Sequence, residues 1–192
     1  TKVLLGRGMG AGADPEKGRI AAKESEEKIK EVLEGTDMLF ITAGMGGGTG
    51  TGASPIIAEV AKAMGILTVA IVTKPFSFEG PLKKSNAAMG IENLKENVDT
   101  LIAIPNDRLF EIPGMNISLM NAFKEANGVL KMGIKGISDL ITKQGIVNLD
   151  FADVKSIMQN SGIAMLGFGE ANGDEKAKSA TAQALNSPLL EK

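Results

Sequence analysis

A glycine-rich run contains the residues of this sequence that are best suited to chemistry. Residues 44–52 include six glycines and two threonines, directly after the apolar residues 38–41. Because glycine loses more backbone entropy on folding than any other residue, such a run is favoured only where the backbone needs positive φ or must approach another group closely. A strand that enters a glycine-rich turn ahead of a helix directs several N–H groups at one point, which suits a phosphate. We therefore predict a phosphate-binding loop rather than a flexible linker, since linkers lack the flanking strand and helix.

A second polar segment lies in residues 145–155. Asp150 has the position of a helix N-cap and Asp153 that of the third helical residue, where a carboxylate is also favourable. Helix capping accounts for both carboxylates but not for Asn148. The pattern therefore predicts the start of a helix and leaves the role of Asn148 open.

The composition excludes several classes of chemistry. The 192 residues include no Cys and no His, which rules out disulfides, thiolate nucleophiles, Ser-His triads and imidazole metal ligands. A net charge of −2 gives no field that would attract nucleic acid. No apolar run approaches the roughly 20 residues that span a bilayer, and the first residues do not form a signal peptide. We expect a cytoplasmic globular protein without metal-ligating residues, nucleic-acid binding or direct membrane insertion.

Strands and helices that would position these residues alternate along the chain. Strands are predicted at residues 38–42, 67–73 and 100–104. The alternation predicts an α/β fold with a doubly wound, mostly parallel sheet. In such sheets, ligands bind beyond the carboxyl ends of the strands. We therefore expect residues 44–52, 76–81 and 105–107 to meet in one crevice.

Two helices have a clear apolar spacing. The first is predicted to run from Asp14, a good N-cap, to Gly35. Its buried face is predicted to contain Ile20, Ile29, Val32 and Leu33. The second is a long central helix over about residues 117–142, with an apolar stripe of Met120, Phe123, Leu130, Ile134, Ile137 and Ile141. Asn127 lies on this stripe, so it is either hydrogen-bonded inside the core or directed at a ligand.

The sequence also suggests a domain boundary after the central helix. Residues 1–142 are predicted to form a nucleotide-binding domain that includes this helix, and residues 143–192 the start of a second, α+β domain. Within the second part we predict a strand at residues 163–168 and a helix near residues 174–185.

The commoner nucleotide-binding motifs do not fit the glycine run. A Walker A loop requires a lysine after its glycines, and none follows here. The dinucleotide fingerprint requires an acidic residue at the end of the next strand, where Thr73 and Lys74 stand. A nicotinamide-dependent dehydrogenase is therefore disfavoured, as it is by the lack of His and Tyr.

Residues 47–52, Gly-Gly-Thr-Gly-Thr-Gly, resemble the glycine signature of the tubulin/FtsZ GTPase family, and in particular of its bacterial cell-division branch. Five other segments resemble family motifs in the same order: a preceding phosphate loop (8–15), the ribose-contacting loop (73–80), the segment below the nucleotide (104–107), the catalytic loop (148–154) and a Ser-Pro-Leu-Leu-Glu segment (187–191). The resemblance covers nearly the whole chain. It implies a Rossmann-like GTPase domain.

The resemblance implies a binding role for each matched residue. The phosphates of GTP or GDP, assisted by Mg²⁺, would be held by Gly46, Gly47, Gly48, Thr49, Gly50 and Thr51, together with Gly10, Ala11, Gly12 and Ala13. The ribose and phosphate side would be contacted by Glu79 and Lys83. Guanine would be recognised by Asn127, with Phe123 and Asn106 nearby.

The resemblance also implies catalysis between subunits. In this family the loop that corresponds to Asn148, Asp150 and Asp153 reaches the γ-phosphate bound to the next subunit. The two carboxylates would polarise the attacking water there, which fits a chain without His. Asp150 can cap the helix and serve catalysis at the same time.

The chain departs from the family pattern at several positions. The family usually carries an arginine where Lys83 stands, and a lysine keeps the charge without the bidentate fork. Gly128 replaces a second base-reading polar residue, so guanine selection would rest more heavily on Asn127. Pro81 is unusual in the ribose loop. We expect this sequence to be a truncated core of the family's protein. The family's first strand and first glycine loop, which supply half of the phosphate cradle, do not precede Thr1. The last strands of its second domain do not follow Lys192.

The implied function is that of a GTPase that polymerises head to tail into filaments of the division ring. Its partners would be further copies of itself, together with membrane-tethering and regulatory division proteins at the mid-cell division site. The alternative is a non-hydrolysing nucleotide-binding scaffold of the same fold.

Overall fold

The computed structural model describes residues 3–6, 8, 10–112, 118–143 and 150–190. Within them, four strands form one sheet in the order β1-β2-β3-β4. The strands are β1 (Met38–Gly44), β2 (Leu67–Lys74), β3 (Thr100–Pro105) and β4 (Gly162–Ile163). Each neighbouring pair is parallel, which confirms the predicted α/β class.

Helices occupy both faces of this sheet. Their bounds are α1 (Pro15–Glu24), α2 (Glu26–Leu33), α3 (Thr49–Ala63), α4 (Pro81–Lys95), α5 (Ala122–Thr142), α6 (Phe151–Met158) and α7 (Lys176–Leu185). Short 3₁₀ helices follow two of the strands, at Ser77–Glu79 and Asn106–Glu111. The long helix α5 ends at Thr142, as predicted for the central helix, but begins at Ala122, since residues 118–121 are not helical. The predicted first residue, 117, lies outside the described part of the chain.

The central strand β2 is buried on both faces, as its unbroken run of apolar and β-branched residues predicts. Because side chains alternate along a strand, β2 contributes to two separate cores. Val69 and Ile71 pack with the residues of α5, whereas Ala70 and Val72 pack with α3 and α4. The carboxyl ends of β1, β2 and β3 are thereby held at one edge between these two layers.

The prediction of a single helix from Asp14 to Gly35 is wrong in one respect. The chain forms two helices, α1 and α2, with Ser25 between them. Ile29 and Leu33 are buried against α3 residues, as predicted. Ile20 and Val32 are instead exposed by 43% and 44%. The break turns α2 relative to α1, so one continuous helical stripe no longer describes which residues face the core.

The apolar stripe predicted for α5 is wrong at its beginning. Met120 precedes the helix and is almost fully exposed, and Phe123 is half-exposed. The residues that face the core are Ala122, Ala126, Val129, Leu130, Gly133 and Ile137. Asn127 lies beside this face rather than on it and is exposed, so it is not hydrogen-bonded inside the core.

Of the strand predicted at residues 163–168, only Ile163 is in a strand, as the second residue of β4. The residues after it lie against α7 instead. A Cβ on Gly167 would lie 2.1 Å from the carbonyl oxygen of Ala184. A Cβ on Gly169 would lie 1.8 Å from the carbonyl oxygen of Ala180. This backbone contact with a helix replaces the pairing that a longer strand would make. No helix among the described residues has both the length and the apolar character to cross a bilayer.

Candidate functional site

The glycine run connects β1 to α3, as predicted. Helix α3 begins at Thr49 with Gly48 as its N-cap, so the first N–H groups of a 15-residue helix point out of this loop. Gly46 has φ +108° and donates its N–H to the Thr51 hydroxyl oxygen at 2.8 Å. Thr51 is buried, whereas Thr49 is exposed. The loop is therefore stabilised from within by Thr51, and Thr49 presents its side chain outward.

Close packing accounts for part of the glycine content of the run. A Cβ on Gly48 would lie 2.7 Å from the Ala11 Cβ and 2.8 Å from the Asp14 nitrogen. One on Gly52 would lie 1.9 Å from the carbonyl oxygen of Pro15. Gly47, in contrast, has no atom within 4 Å of such a Cβ. The run therefore packs against the first glycine loop and leaves one glycine facing open space.

The first glycine loop, residues 10–14, lies beside the second. Gly10, Gly12 and Ala13 all have positive φ, at +72°, +54° and +60°. The loop ends at Asp14, which caps α1 by accepting from the Glu16 N–H at 3.0 Å. A cavity of about 390 Å³ has both loops in its wall, with Gly10 and Ala11 on one side and Thr49 on the other. The two loops that were predicted to share a phosphate are thus neighbours.

Glu79 and Lys83 form an ion pair at the start of α4. The Lys83 Nζ lies 2.9 Å from the Glu79 Oε2, and the Glu79 Oε1 accepts from the Phe76 N–H at 2.9 Å. The Glu79 side chain is only 10% exposed, whereas that of Lys83 is 42% exposed. The pair fixes the carboxylate and leaves part of the ammonium group accessible.

A hydrogen-bond network joins the loops after β2 and β3. Asp107 accepts from the Ser77 N–H at 2.8 Å and also from the Ser77 hydroxyl. Lys84 donates to the same hydroxyl oxygen at 2.9 Å. Partial burial acts to raise the pKa of Asp107, but the two Ser77 hydrogen bonds and the Lys84 charge outweigh it and hold this pKa below its ordinary value. The sequence identified the turn that contains Asp107 but not this network, since its two partners are ordinary surface residue types.

Asn106 carries an unusual buried group. The residue is 4% exposed, and its Oδ1 has no hydrogen-bond partner among the described residues. A buried polar atom without a partner costs about 1–3 kcal/mol, so natural proteins rarely leave one without a purpose. Asn106 lies directly after the carboxyl end of β3.

Aromatic side chains line the crevice near the start of α5. Phe76 is fully buried and stacks on Phe78 with ring centroids 4.9 Å apart. Phe78 and Phe123 are each half-exposed and meet edge to face at 6.1 Å. Asn127 lies one helical turn beyond Phe123 and is also exposed. An apolar surface beside an accessible amide suits a planar base with hydrogen-bonding edges.

The segment that contains Asp150 and Asp153 lies elsewhere. Asn148 falls outside the described residues. Asp150 caps α6 and accepts from the Asp153 N–H at 2.8 Å, while the Asp153 Oδ2 accepts from the Asp150 N–H at 3.3 Å. The predicted helix cap is therefore confirmed, and it uses one oxygen of each carboxylate.

Contacts at the other end of α6 place this helix beside the amino end of β3. The Thr100 hydroxyl donates to the Met158 carbonyl at 2.7 Å, and Asp99 accepts from the Asn160 N–H at 3.2 Å. Thr100 is the first residue of β3, whereas the crevice follows its last residue, Pro105. The end of α6 and the crevice thus lie at opposite edges of the sheet.

The described residues include no group of three or more acidic side chains arranged to hold a metal ion. A cavity of about 560 Å³ lies between α1, α3 and α4, on their outer surface. It shares Thr51 and Gly52 with the glycine run but contains neither the aromatic surface nor Asn106. The crevice beyond the strand ends is therefore the better candidate site.

An open α/β sheet with a glycine loop at the carboxyl end of one strand, and a second glycine loop packed beside it, defines a Rossmann-like protein of the nucleotide-binding type. Residues 3–114 match the model of the tubulin/FtsZ family GTPase domain, and residues 162–192 match that of the FtsZ family C-terminal domain. The chain therefore belongs to the tubulin/FtsZ family, whose members bind GTP or GDP and, in general, hydrolyse GTP.

Solved structures agree with this assignment. A structure described as an empty FtsZ dimer from M. jannaschii is 53% identical with a TM-score of 0.94, and it aligns over 98% of this chain and 56% of its own. A W319Y mutant of FtsZ from the same organism is 54% identical with a TM-score of 0.91, over 96% of this chain and 55% of its own. CetZ from Methanosaeta thermophila is 28% identical with a TM-score of 0.75, and the alignment covers 94% of this chain and 52% of the CetZ chain. The chain thus spans little more than half the length of the structures that it matches.

Proposed function

We propose that this chain is part of a GTPase that polymerises head to tail, with GTP bound in the crevice and hydrolysed by the α6 segment of the neighbouring subunit. The observation that carries the proposal is the placement of two segments: the glycine run follows the carboxyl end of β1, whereas α6, which carries Asp150 and Asp153 at its start, is bonded through its last residue to the amino end of β3. A head-to-tail contact between copies would bring opposite edges together. That the related M. jannaschii structure is described as a dimer supports self-association.

The phosphates would bind where the two glycine loops meet. The N–H groups at the start of α3 and the helix dipole both favour an anion there. Gly47 has the space for a close approach, and the exposed Thr49 hydroxyl can donate to a phosphate oxygen. The ammonium of Lys83 would add charge from the α4 side.

The base would bind on the aromatic surface. A purine lying against Phe123 would place its polar edge near the exposed Asn127 amide. The Glu79 carboxylate accepts hydrogen bonds from the Phe76 N–H and from Lys83. Its remaining lone pairs would accept a hydrogen bond from a ribose hydroxyl.

Mg²⁺ would bind mainly through the phosphates. Magnesium commonly keeps several waters and uses few protein ligands in nucleotide sites, which fits the absence of a carboxylate cluster among the described residues. Bound there, the ion would neutralise charge on the phosphates.

Asp150 and Asp153 would polarise water at the interface. Each carboxylate commits one oxygen to the helix cap, so the second oxygen of each can accept from a water molecule. Asn148 would assist them. We further propose that residues 1–142 and 143–192 belong to two domains, and the separate segments matched by the two family models support this.

The cellular role follows from the family. Within the proposal, the filaments form the division ring at mid-cell in the cytoplasm, and other division proteins tether them to the membrane and regulate them.

The concentration dependence of GTP turnover in the full-length protein tests the shared site. The rate per subunit should be near zero below the threshold for polymerisation and should rise steeply above it, because each site needs a second copy. Light scattering on the same samples locates the threshold. A rate per subunit that stays constant across the threshold would contradict a site shared between subunits.

A non-hydrolysing scaffold is the second candidate function. It is favoured by the capping role of Asp150 and Asp153, which fully explains why two carboxylates are present. The state of radiolabelled nucleotide in assembled material separates the two candidates. GTP that remains uncleaved there over many assembly cycles would support the scaffold.

A further inference from the structure

Asn86 lies on the second turn of α4 and contacts both glycine loops. Its Nδ2 lies 3.3 Å from the Ala13 carbonyl oxygen and 3.5 Å from the Gly46 carbonyl oxygen. These two residues are 33 positions apart in the chain and belong to different loops. One side-chain amide therefore has a donor group directed at each loop.

Both acceptors belong to residues with an unusual backbone. Ala13 has φ +60°, a conformation that residues with a Cβ rarely adopt, and Gly46 has φ +108°. At Ala13 such a conformation persists only where surrounding contacts enforce it, whereas glycine adopts positive φ freely. The Gly46 backbone is held from two sides, because its N–H donates to Thr51 and its carbonyl accepts from Asn86.

The position of α4 makes this contact specific. A Cβ on Gly46 would lie 2.7 Å from the Lys83 carbonyl oxygen, and one on Gly90 would lie 2.3 Å from the Thr51 Cγ2. The helix thus packs directly against the second glycine loop on both sides of Asn86. The Asn86 side chain is half-buried at this point.

We propose that Asn86 is a positioning residue that clamps the two glycine loops in register, so that their N–H groups converge on the same phosphate chain. The inference rests on the proposed binding of GTP in the crevice. It assigns to α4 a role beyond carrying Lys83. Asn86 touches no phosphate in this scheme and acts through Ala13 and Gly46.

The variant Asn86→Leu tests the clamp in the full-length protein, because leucine has a similar size and no donor. Asn93→Leu is the matched control, since Asn93 lies on the same helix two turns later and is exposed. Binding of GTP and of guanosine is measured by calorimetry, and GTPase kinetics are measured at saturating and limiting GTP. Hydrogen exchange of residues 10–14 and 44–48 is followed without nucleotide.

If Asn86 clamps the two loops, Asn86→Leu should weaken the binding of GTP, which carries phosphates, but not that of guanosine, which carries none. For Asn86→Leu, the Kd and KM for GTP should rise about tenfold, with kcat at saturation and guanosine binding close to those of the control. The rate of amide hydrogen exchange in the ligand-free Asn86→Leu variant should increase in both glycine loops. Unchanged GTP affinity, equal losses for GTP and guanosine, or faster exchange in only one loop would each overturn the inference.

The exchange measurement separates this inference from the proposed function. If the unmodified protein fails to bind GTP, the proposed function is wrong whatever Asn86 does. Faster exchange of both loops in ligand-free Asn86→Leu would still support the clamp, and unchanged exchange would contradict it.

Discussion

Single residues in the glycine run differ in what surrounds them. Gly48 and Gly52 are enclosed by the backbone of the first glycine loop and α1, whereas Gly47 faces open space. The enclosed glycines are required by packing within the protein. The open one has no structural reason to be glycine, so a ligand that approaches closely is the better explanation.

This difference predicts opposite behaviour for two neighbouring variants. Gly48→Ala should lower the free energy of unfolding by about 1–3 kcal/mol, because its methyl group would overlap Ala11 and Asp14. Gly47→Ala should leave stability nearly unchanged and weaken GTP binding. Urea unfolding and nucleotide titration of both variants check this. Normal GTP affinity in Gly47→Ala would argue against phosphate contact at this position.

Asp153 combines two roles that one substitution can separate. Asp153→Asn keeps an oxygen to accept from the Asp150 N–H but removes the negative charge. GTP hydrolysis should fall by at least about a hundredfold, while GTP binding and assembly persist. Stability should fall by no more than about 1 kcal/mol, from the lost interaction with the helix dipole.

The exposed residue Asp174, which lies outside α6, provides the control for this variant. Asp174→Asn should hydrolyse GTP at the normal rate. If Asp153→Asn retained full turnover, its carboxylate would serve only as a cap, as the scaffold alternative requires.

At the level of elements, helix α5 depends on packing rather than on intrinsic helix propensity. It contains three glycines, and they have different surroundings. A Cβ on Gly133 would lie 3.0 Å from Leu166 and 3.3 Å from Ile71, so this glycine sets the distance between the helix and the sheet. Gly136, almost one turn later, has nothing within 4 Å.

Alanine at these two positions should therefore change the free energy of unfolding by different amounts. Gly136→Ala should raise the free energy of unfolding by up to about 1 kcal/mol, the difference in helix propensity between glycine and alanine. Gly133→Ala should gain less or become destabilising, because Leu166 and Ile71 must move. Chemical denaturation of the pair measures the difference. Equal stabilisation at both sites would show that α5 is not packed closely on β2.

At the level of the whole molecule, the sheet places the crevice and the end of α6 at opposite ends of its strands. The crevice follows the carboxyl ends of β1, β2 and β3, while the end of α6 bonds to the amino end of β3. Under the proposed function, one chain would therefore carry two different partial sites. A head-to-tail filament would leave one of each unused at its ends.

Mixing two inactive full-length variants tests this arrangement. Gly47→Ala is defective at the crevice and Asp153→Asn at the α6 segment, so each alone should hydrolyse GTP poorly. In an equal mixture, about a quarter of random interfaces pair an intact crevice with an intact α6 segment, which should restore about a quarter of normal activity. A mixture no more active than its components, despite co-assembly in a sedimentation assay, would exclude catalysis between subunits.

Local patterns in the sequence determined much of this protein: the alternation of strands and helices, the glycine run between β1 and α3, and the cap formed by Asp150 and Asp153. These features depend on residues that are near neighbours in the chain, so composition and spacing are enough to predict them. Tertiary structure alone decided the exposure of Ile20 and Phe123 and the enclosure of Gly48 by Ala11 and Asp14. It also placed Asn86 between two loops that no spacing rule connects. Each of these depends on contacts between residues that are distant in the chain, and such contacts exist only once the sheet has brought its helices together.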